Sequence, residues 1–270
     1  MNFHAKLLAA QSKKQSVLCV GLDPDIQRLP THFYPELSPT ERILAFNEAI
    51  IEATLPFASS FKLNFAFYER FGVAGWNVLE RTRHLIPGDI PAIADNKRGD
   101  IGNSAKFYAQ SVFEVLDFDA CTVSPYMGAD SIAPFLAYSE KAAFVLARTS
   151  NPGGADLQEQ KVEGNSLYKI LVSQLSEQAN SHPGCTALVV GATNEEAMAE
   201  IRKLAPEMPF LIPGVGAQGG DAQAVIRATY NGYGSIAVNS SRSILYASAG
   251  EDFAEKAAEE AEKLMHSLRP

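Results

Sequence analysis

Residues 91–116 read PAIADNKRGDIGNSAKFYAQSVFEVL, and the way this stretch divides decides the fold. Its first five residues form a short apolar run of the kind that fills a buried strand, whereas residues 103–116 space their apolar side chains as a helix does. Between them stand Asp95, Asn96, Lys97, Arg98, Gly99 and Asp100. A buried strand that ends in four charges and hands over to a helix is one β/α unit whose polar end faces a cleft or solvent. Alternation along the strand sets Asp95 and Lys97 on one side, provided the strand runs that far, with Asn96 and Arg98 facing the other way. Gly99 breaks the strand, so alternation does not fix the direction of Asp100.

The same unit recurs on both sides. Apolar, β-branched runs at 16–22, 59–64, 120–124, 143–147, 186–191, 209–213 and 235–239 predict strands. Helical spacing predicts helices over 38–55, 72–86, 165–180, 193–205 and 251–268. The first of these opens on Ser38 with Glu41 three residues on, the spacing of a capping box. Eight strands alternating with helices over 270 residues fit a doubly wound sheet or a closed barrel, and the length favours the barrel, which typically takes about 250. A dinucleotide-binding sheet would carry GxGxxG after its first strand; GLDPD stands there instead. No linker, repeat or low-complexity segment divides the chain. The expected fold is α/β, one domain over 1–270, a single (β/α)8 TIM barrel.

Composition narrows the chemistry. A formal net charge of −8 disfavours nucleic acid as a partner, because that requires a basic surface. Cys19, Cys121 and Cys185 lie apart in apolar runs, which reads as buried thiols and not as a disulfide framework or a zinc site. The opening MNFHAKLLAAQSKKQ reads as an amphipathic first helix without the features of a signal peptide. No apolar run approaches the ~20 residues of a membrane helix. A cytoplasmic enzyme acting on a small molecule, with neither membrane nor nucleic-acid partner, is the expectation.

In such barrels side chains at the C-terminal strand ends converge on one mouth. There lie Asp23 after the first strand, Lys62 on the second, and Asp95, Lys97 and Asp100 after the third. Lysines set between aspartates lower the repulsion that would protonate one of them; the plainer explanation is a salt-bridge cluster tying the barrel top together. After strand seven, IPGVGAQGGD offers Gly214, Gly216, Gln218, Gly219 and Gly220, and NSSRS after strand eight offers Arg242. These are the two loops where barrels often hold phosphate, although a glycine-rich loop can also be a tight turn. The loop RTSNPGGADLQEQKVEG at 148–164 is a lid or a surface loop, with Ser150 at its base. His4, His32, His84, His182 and His266 fall away from the strand ends and receive no catalytic part. Trp76 reads as helix-face packing.

Taken together, GLDPD, FKLN, DNKRGDI, TSNPGG, PGVGAQGG and SSRSI, in this order along nearly the whole chain, resemble the orotidine 5′-phosphate decarboxylase family, most closely its longer-chain bacterial subgroup. DNKRGD fits that family's D-x-K-x-x-D signature, which alone is shared with sugar-phosphate enzymes of the same barrel superfamily. The resemblance implies conversion of orotidine 5′-monophosphate to UMP and CO2 without metal or organic cofactor. It implies Lys97 as the proton donor to C6, Asp95 beside the departing carboxylate, and Asp100 supplied by the partner subunit of a homodimer to complete an array with Lys62. Asp23 and Lys62 would hold ribose hydroxyls, Ser150 the pyrimidine, Gln218 and Arg242 the phosphate, and Ser104 would reach the ribose region across the dimer. Ser241 stands where the family commonly has glycine and Ser104 where threonine is frequent; neither is expected to touch the proposed chemistry. The alternatives are a metal-dependent sugar-phosphate decarboxylase or aldolase of the same superfamily, and a noncatalytic nucleotide-binding module.

Overall fold

The structure is a computed structural model that describes residues 1–30, 34, 36–215 and 220–269. Eight parallel strands close into a barrel: β1 (Leu18–Gly21), β2 (Ser60–Asn64), β3 (Ala92–Arg98), β4 (Ala120–Val123), β5 (Ala142–Arg148), β6 (Cys185–Val190), β7 (Phe210–Pro213) and β8 (Ile236–Ser240). Each pairs with its neighbour in sequence, and β8 returns to β1 with Leu18 opposite Val238. All eight predicted strands are present. Closure leaves no free edge, so every strand exchanges backbone hydrogen bonds on both sides.

Two apolar layers hold this arrangement. Outward-facing side chains such as Phe61, Leu63, Val145 and Leu188 pack against the surrounding helices. Inward-facing Cys19, Ile93, Phe144, Val189, Leu211 and Ala237 fill the lumen together with Phe3 and Leu7 of the first helix, Phe3–Lys14. That helix closes the floor. Phe3 meets Phe144 edge to face at 5.6 Å between ring centroids, and Gln11 accepts from Gly234 N–H at 2.7 Å and donates to the Ile236 carbonyl at 2.7 Å. The predicted amphipathic first helix is thus a plug for the barrel. Cys19 and Cys121 are buried as expected, whereas Cys185 is only partly buried; desolvation raises the Cys19 thiol to about 12 and the Cys185 thiol to about 11.

The helix Pro39–Thr54 carries the capping box read from Ser38 and Glu41. Trp76 packs edge to face on Phe65 at 5.7 Å. Two departures from expectation matter. A helix over Ala222–Thr229, capped by Asp221 and not foreseen, completes the unit between β7 and β8. The segment after β5 is ordered by its own bonds: Arg148 pairs with Glu159 at 2.7 Å, and Lys161–Val162 pairs with Asn165–Ser166 as a two-stranded ribbon. Among the described residues no helix is long and apolar enough to cross a membrane.

Candidate active site

The C-terminal strand ends enclose a cleft of about 340 Å³. Asp23, Lys62 and Asp95 line its floor, and Pro213, Gly214, Ser241 and Arg242 line its far side. The floor continues the lumen upward: in the barrel register Lys62 of β2 stands opposite Ile93 of the apolar filling, and Asp95 follows two residues further along β3 on the same inward side.

The charges form one chain. Asp23 meets Lys62 Nζ at 3.2 Å, Lys62 Nζ meets Asp95 Oδ2 at 3.1 Å, and Lys97 Nζ meets Asp95 Oδ1 at 2.5 Å. The lysines are not equivalent, since the Lys62 side chain is 4% exposed and that of Lys97 49%. Burial would strip the Lys62 proton, but the facing carboxylates of Asp23 and Asp95 outweigh it and hold its pKa above the ordinary lysine value. For Asp95, burial pushes the carboxyl up, yet the pull of Lys62 and then Lys97 exceeds that, leaving it at about 2. Lys62 and Asp95 are therefore both charged in the folded protein at neutral pH.

Lys97 reaches Asp95 by a route that simple alternation does not describe. Between Ala94 and Arg98, β3 bulges against β4, with Ala94 opposite Cys121 and Arg98 opposite Val123. Lys97 takes a φ of +43°, a left-handed conformation that costs a residue with a side chain about 1–2 kcal/mol. Thr122 fixes the bulge, accepting from Lys97 N–H at 2.9 Å and donating to Asp95 Oδ1 at 3.1 Å. Arg98 turns outward as expected and binds Glu69 at 2.5 Å.

Asp100 does not join this array within the chain. Its carboxylate accepts from Ile101 N–H at 2.8 Å, and among the described residues it makes no ion pair. Ser104 is exposed and lines a separate groove with Phe107 and Arg98. Ser150 is half-buried against Gly191 at the ends of β5 and β6 and is not part of the cleft wall. Arg242 opens the short helix Arg242–Leu245 on the cleft rim. The ends of the glycine-rich loop meet, with Gly220 N–H donating to the Gly214 carbonyl at 3.1 Å and Gly214 at a φ of +104°. Gly216, Gln218 and Gly219 lie outside the described residues, as does His32.

Sequence reasoning missed several contributors. Thr122 could have been found by carrying the inward register of Asp95 across to β4. Ser241, expected to stand apart, instead donates to Asp23 Oδ2 at 2.7 Å. Asn64 N–H donates to Asp23 Oδ1 at 3.1 Å. The Arg28 guanidinium stacks on Tyr246 at 3.8 Å from the ring centroid, and the Tyr246 hydroxyl accepts from Asp25 N–H at 2.6 Å. Among the described residues no group of three or more His, Cys, Asp or Glu side chains is placed to hold a metal ion.

Comparison with known proteins gives a consistent picture. Residues 16–258 match the model of the "Orotidine 5′-phosphate decarboxylase / HUMPS family". The chain is 44% identical over 272 residues to an orotidine 5′-phosphate decarboxylase of Dehalococcoides mccartyi, covering 99% of this chain and 97% of that one. It is 47% identical over 256 residues to that of Herpetosiphon aurantiacus, covering 94% and 93%. A putative orotidine-monophosphate-decarboxylase from Toxoplasma gondii superposes with a TM-score of 0.88 at 37% identity, over 99% of this chain and 97% of that one. A UMP synthase from Leishmania donovani superposes with a TM-score of 0.86 at 37% identity, and there this chain spans 57% of the longer protein.

Proposed function

The chain belongs to the orotidine 5′-phosphate decarboxylase / HUMPS family, and from that premise we infer that it converts orotidine 5′-monophosphate to UMP and CO2 in pyrimidine nucleotide synthesis. The observation that carries the reading is the continuous alternation Asp23–Lys62–Asp95–Lys97 at the mouth of the barrel. A merely structural cluster has no need of the last lysine, which is half exposed and held in a costly backbone conformation.

Loss of CO2 breaks the bond at C6 and leaves its electron pair on a ring carbon with no conjugated sink. The site must stabilise a localised negative charge and then protonate it. In the proposed mechanism the Lys97 ammonium supplies both the field and the proton, Nζ–H passing to C6, after which solvent returns a proton to the amine. Asp95 lies beside the departing carboxylate. Its fixed charge keeps Lys97 in place, and its repulsion of the substrate carboxylate is a secondary contribution. Asp23 and Lys62 hold ribose hydroxyls. Arg242, with Gln218 and the glycines of its loop, grips the phosphate, while Ser150 addresses the pyrimidine as the segment after β5 closes. Binding energy realised at the remote phosphate then contributes to lowering the barrier at C6.

We assign Asp100 and Ser104 to the site of a second subunit. Two features support a homodimer: among the described residues Asp100 makes no ion pair, and the apolar side chains of Phe107 and Tyr126, on the segments that follow β3 and β4, are 62% and 79% exposed. The working unit is read as a single catalytic domain over 1–270 acting in the cytoplasm on a small nucleotide, without metal or organic cofactor.

The decisive experiment is Lys97→Ala assayed in the presence of EDTA. A proton donor's loss should lower kcat by about 10³-fold or more, with UMP affinity largely retained and wild-type activity unaffected by the chelator. Near-normal turnover of the variant removes Lys97 from its role. Wild-type activity that collapses with EDTA points to metal-dependent sugar-phosphate chemistry instead.

A further inference from the structure

Asp23 is held by more than its lysine. Oδ1 accepts from Lys62 Nζ at 3.2 Å and from Asn64 N–H at 3.1 Å, and Oδ2 accepts from Lys62 Nζ at 3.3 Å and from Ser241 Oγ at 2.7 Å. A carboxylate in an ion pair only accepts, so the Ser241 hydroxyl hydrogen is committed to Asp23. Ser241 Oγ can then only accept from a third group. Asn239 Nδ2 fills that role at 3.3 Å. The polarity of this chain also settles the orientation of the amide, because an Asn239 carbonyl oxygen turned toward Ser241 would find no hydrogen there. Among the described residues Asn239 Oδ1 is left buried without a partner, in a residue only 6% exposed.

Gly21 supplies independent support. A Cβ at Gly21 would lie 1.9 Å from Ser241 Oγ and 3.0 Å from Asn239 Oδ1. The space that any other residue's side chain would enter is occupied by these two side chains.

We propose that Asn239→Ser241→Asp23 is a directional hydrogen-bond relay that orients the Asp23 carboxylate toward the sugar of the nucleotide, making Asn239 and Ser241 positioning residues. The proposal rests on the reading that Asp23 holds a ribose hydroxyl. Without Ser241, the 3.3 Å contact with Lys62 is all that holds Oδ2 among the described residues, and the carboxylate is free to swing about the bond to its β-carbon. With the relay in place, the carboxylate is set before the ligand arrives. Such pre-organisation is how a supporting hydrogen bond adds to affinity without touching the ligand.

The test compares binding of UMP with binding of 2′,3′-dideoxy-UMP, which lacks both sugar hydroxyls, by calorimetry on the full-length protein. Wild type should prefer UMP by about 100-fold, since hydrogen bonds to charged groups are the strong ones. Ser241→Ala should cut that preference to about tenfold by weakening UMP alone, and Asn239→Leu, which adds no charge, should give an intermediate ratio. Ser241→Gly serves as a second hydroxyl-free variant if alanine does not fold. A wild-type protein indifferent to the hydroxyls would sink the sugar assignment of Asp23 and the relay with it. Clear wild-type preference that either variant keeps in full would overturn the relay alone, as would an equal loss of affinity for both nucleotides.

Discussion

Asp95 sits between two ammonium groups, and its folded-state pKa of about 2 against an ordinary value of 3.8 makes it a pH-dependent source of stability. The folded value is depressed, so the contribution is complete above pH ~4 and is lost as pH falls through about 2. The difference of nearly two units corresponds to about 2 kcal/mol. In urea unfolding, the gap between wild type and Asp95→Asn should therefore narrow by about 2 kcal/mol between pH 6 and pH 2; a constant gap would show that Asp95 is not held by its lysines. Lys97 and Lys62 divide the work at this scale: Lys62 is enclosed and neutralises two carboxylates, while Lys97 remains accessible at the outer end. Charges at strand ends were legible in the sequence because a buried strand has no other reason to end in them. Thr122, Asn239 and Ser241 were not. They are neutral, they fit a strand or loop without comment, and their roles appear only when the register sets them beside Asp95 and Asp23.

At the scale of elements, the eight strands could be read because each is a compact apolar run bounded by polar loops, and barrel closure followed from their number and rhythm. The bulge in β3 could not be read, since it depends on how β3 registers against β4. The helix Ala222–Thr229 escaped for a related reason: at eight residues it is too short to display its periodicity beside a glycine-rich loop. The first helix was legible as amphipathic, yet nothing in its sequence said that its apolar face would stopper the lumen. That role makes a prediction. Phe3 is almost wholly buried against Phe144, so Phe3→Ala should lower the unfolding free energy by about 3–5 kcal/mol. The KM of the surviving folded enzyme should stay unchanged, because neither Phe3 nor Phe144 lines the cleft. A substantial KM change, or a negligible loss of stability in urea, would mean that the plug has been misread.

At the scale of the whole molecule, the proposed homodimer makes its own prediction. Among the described residues Asp100 makes no ion pair and Lys97 pairs with Asp95 alone, while Phe107 and Tyr126 stand exposed. If two chains complete each other there, mixing inactive Lys97→Ala and Asp100→Ala proteins should restore part of the activity, since a hybrid carries one site with both residues intact. No recovery despite demonstrated subunit exchange would return Asp100 to a role within its own chain. The seam where β8 rejoins β1 has a different kind of consequence. Ser241 and Asp23 are 218 residues apart in sequence, so a nascent chain emerging from the ribosome carries an open sheet with two raw edges until its last strand is released. Such edges invite mispairing with other chains. Because Ser241 and Arg242 follow directly on the strand that seals them, the wall of the cleft is completed in the same late event that removes the open edges.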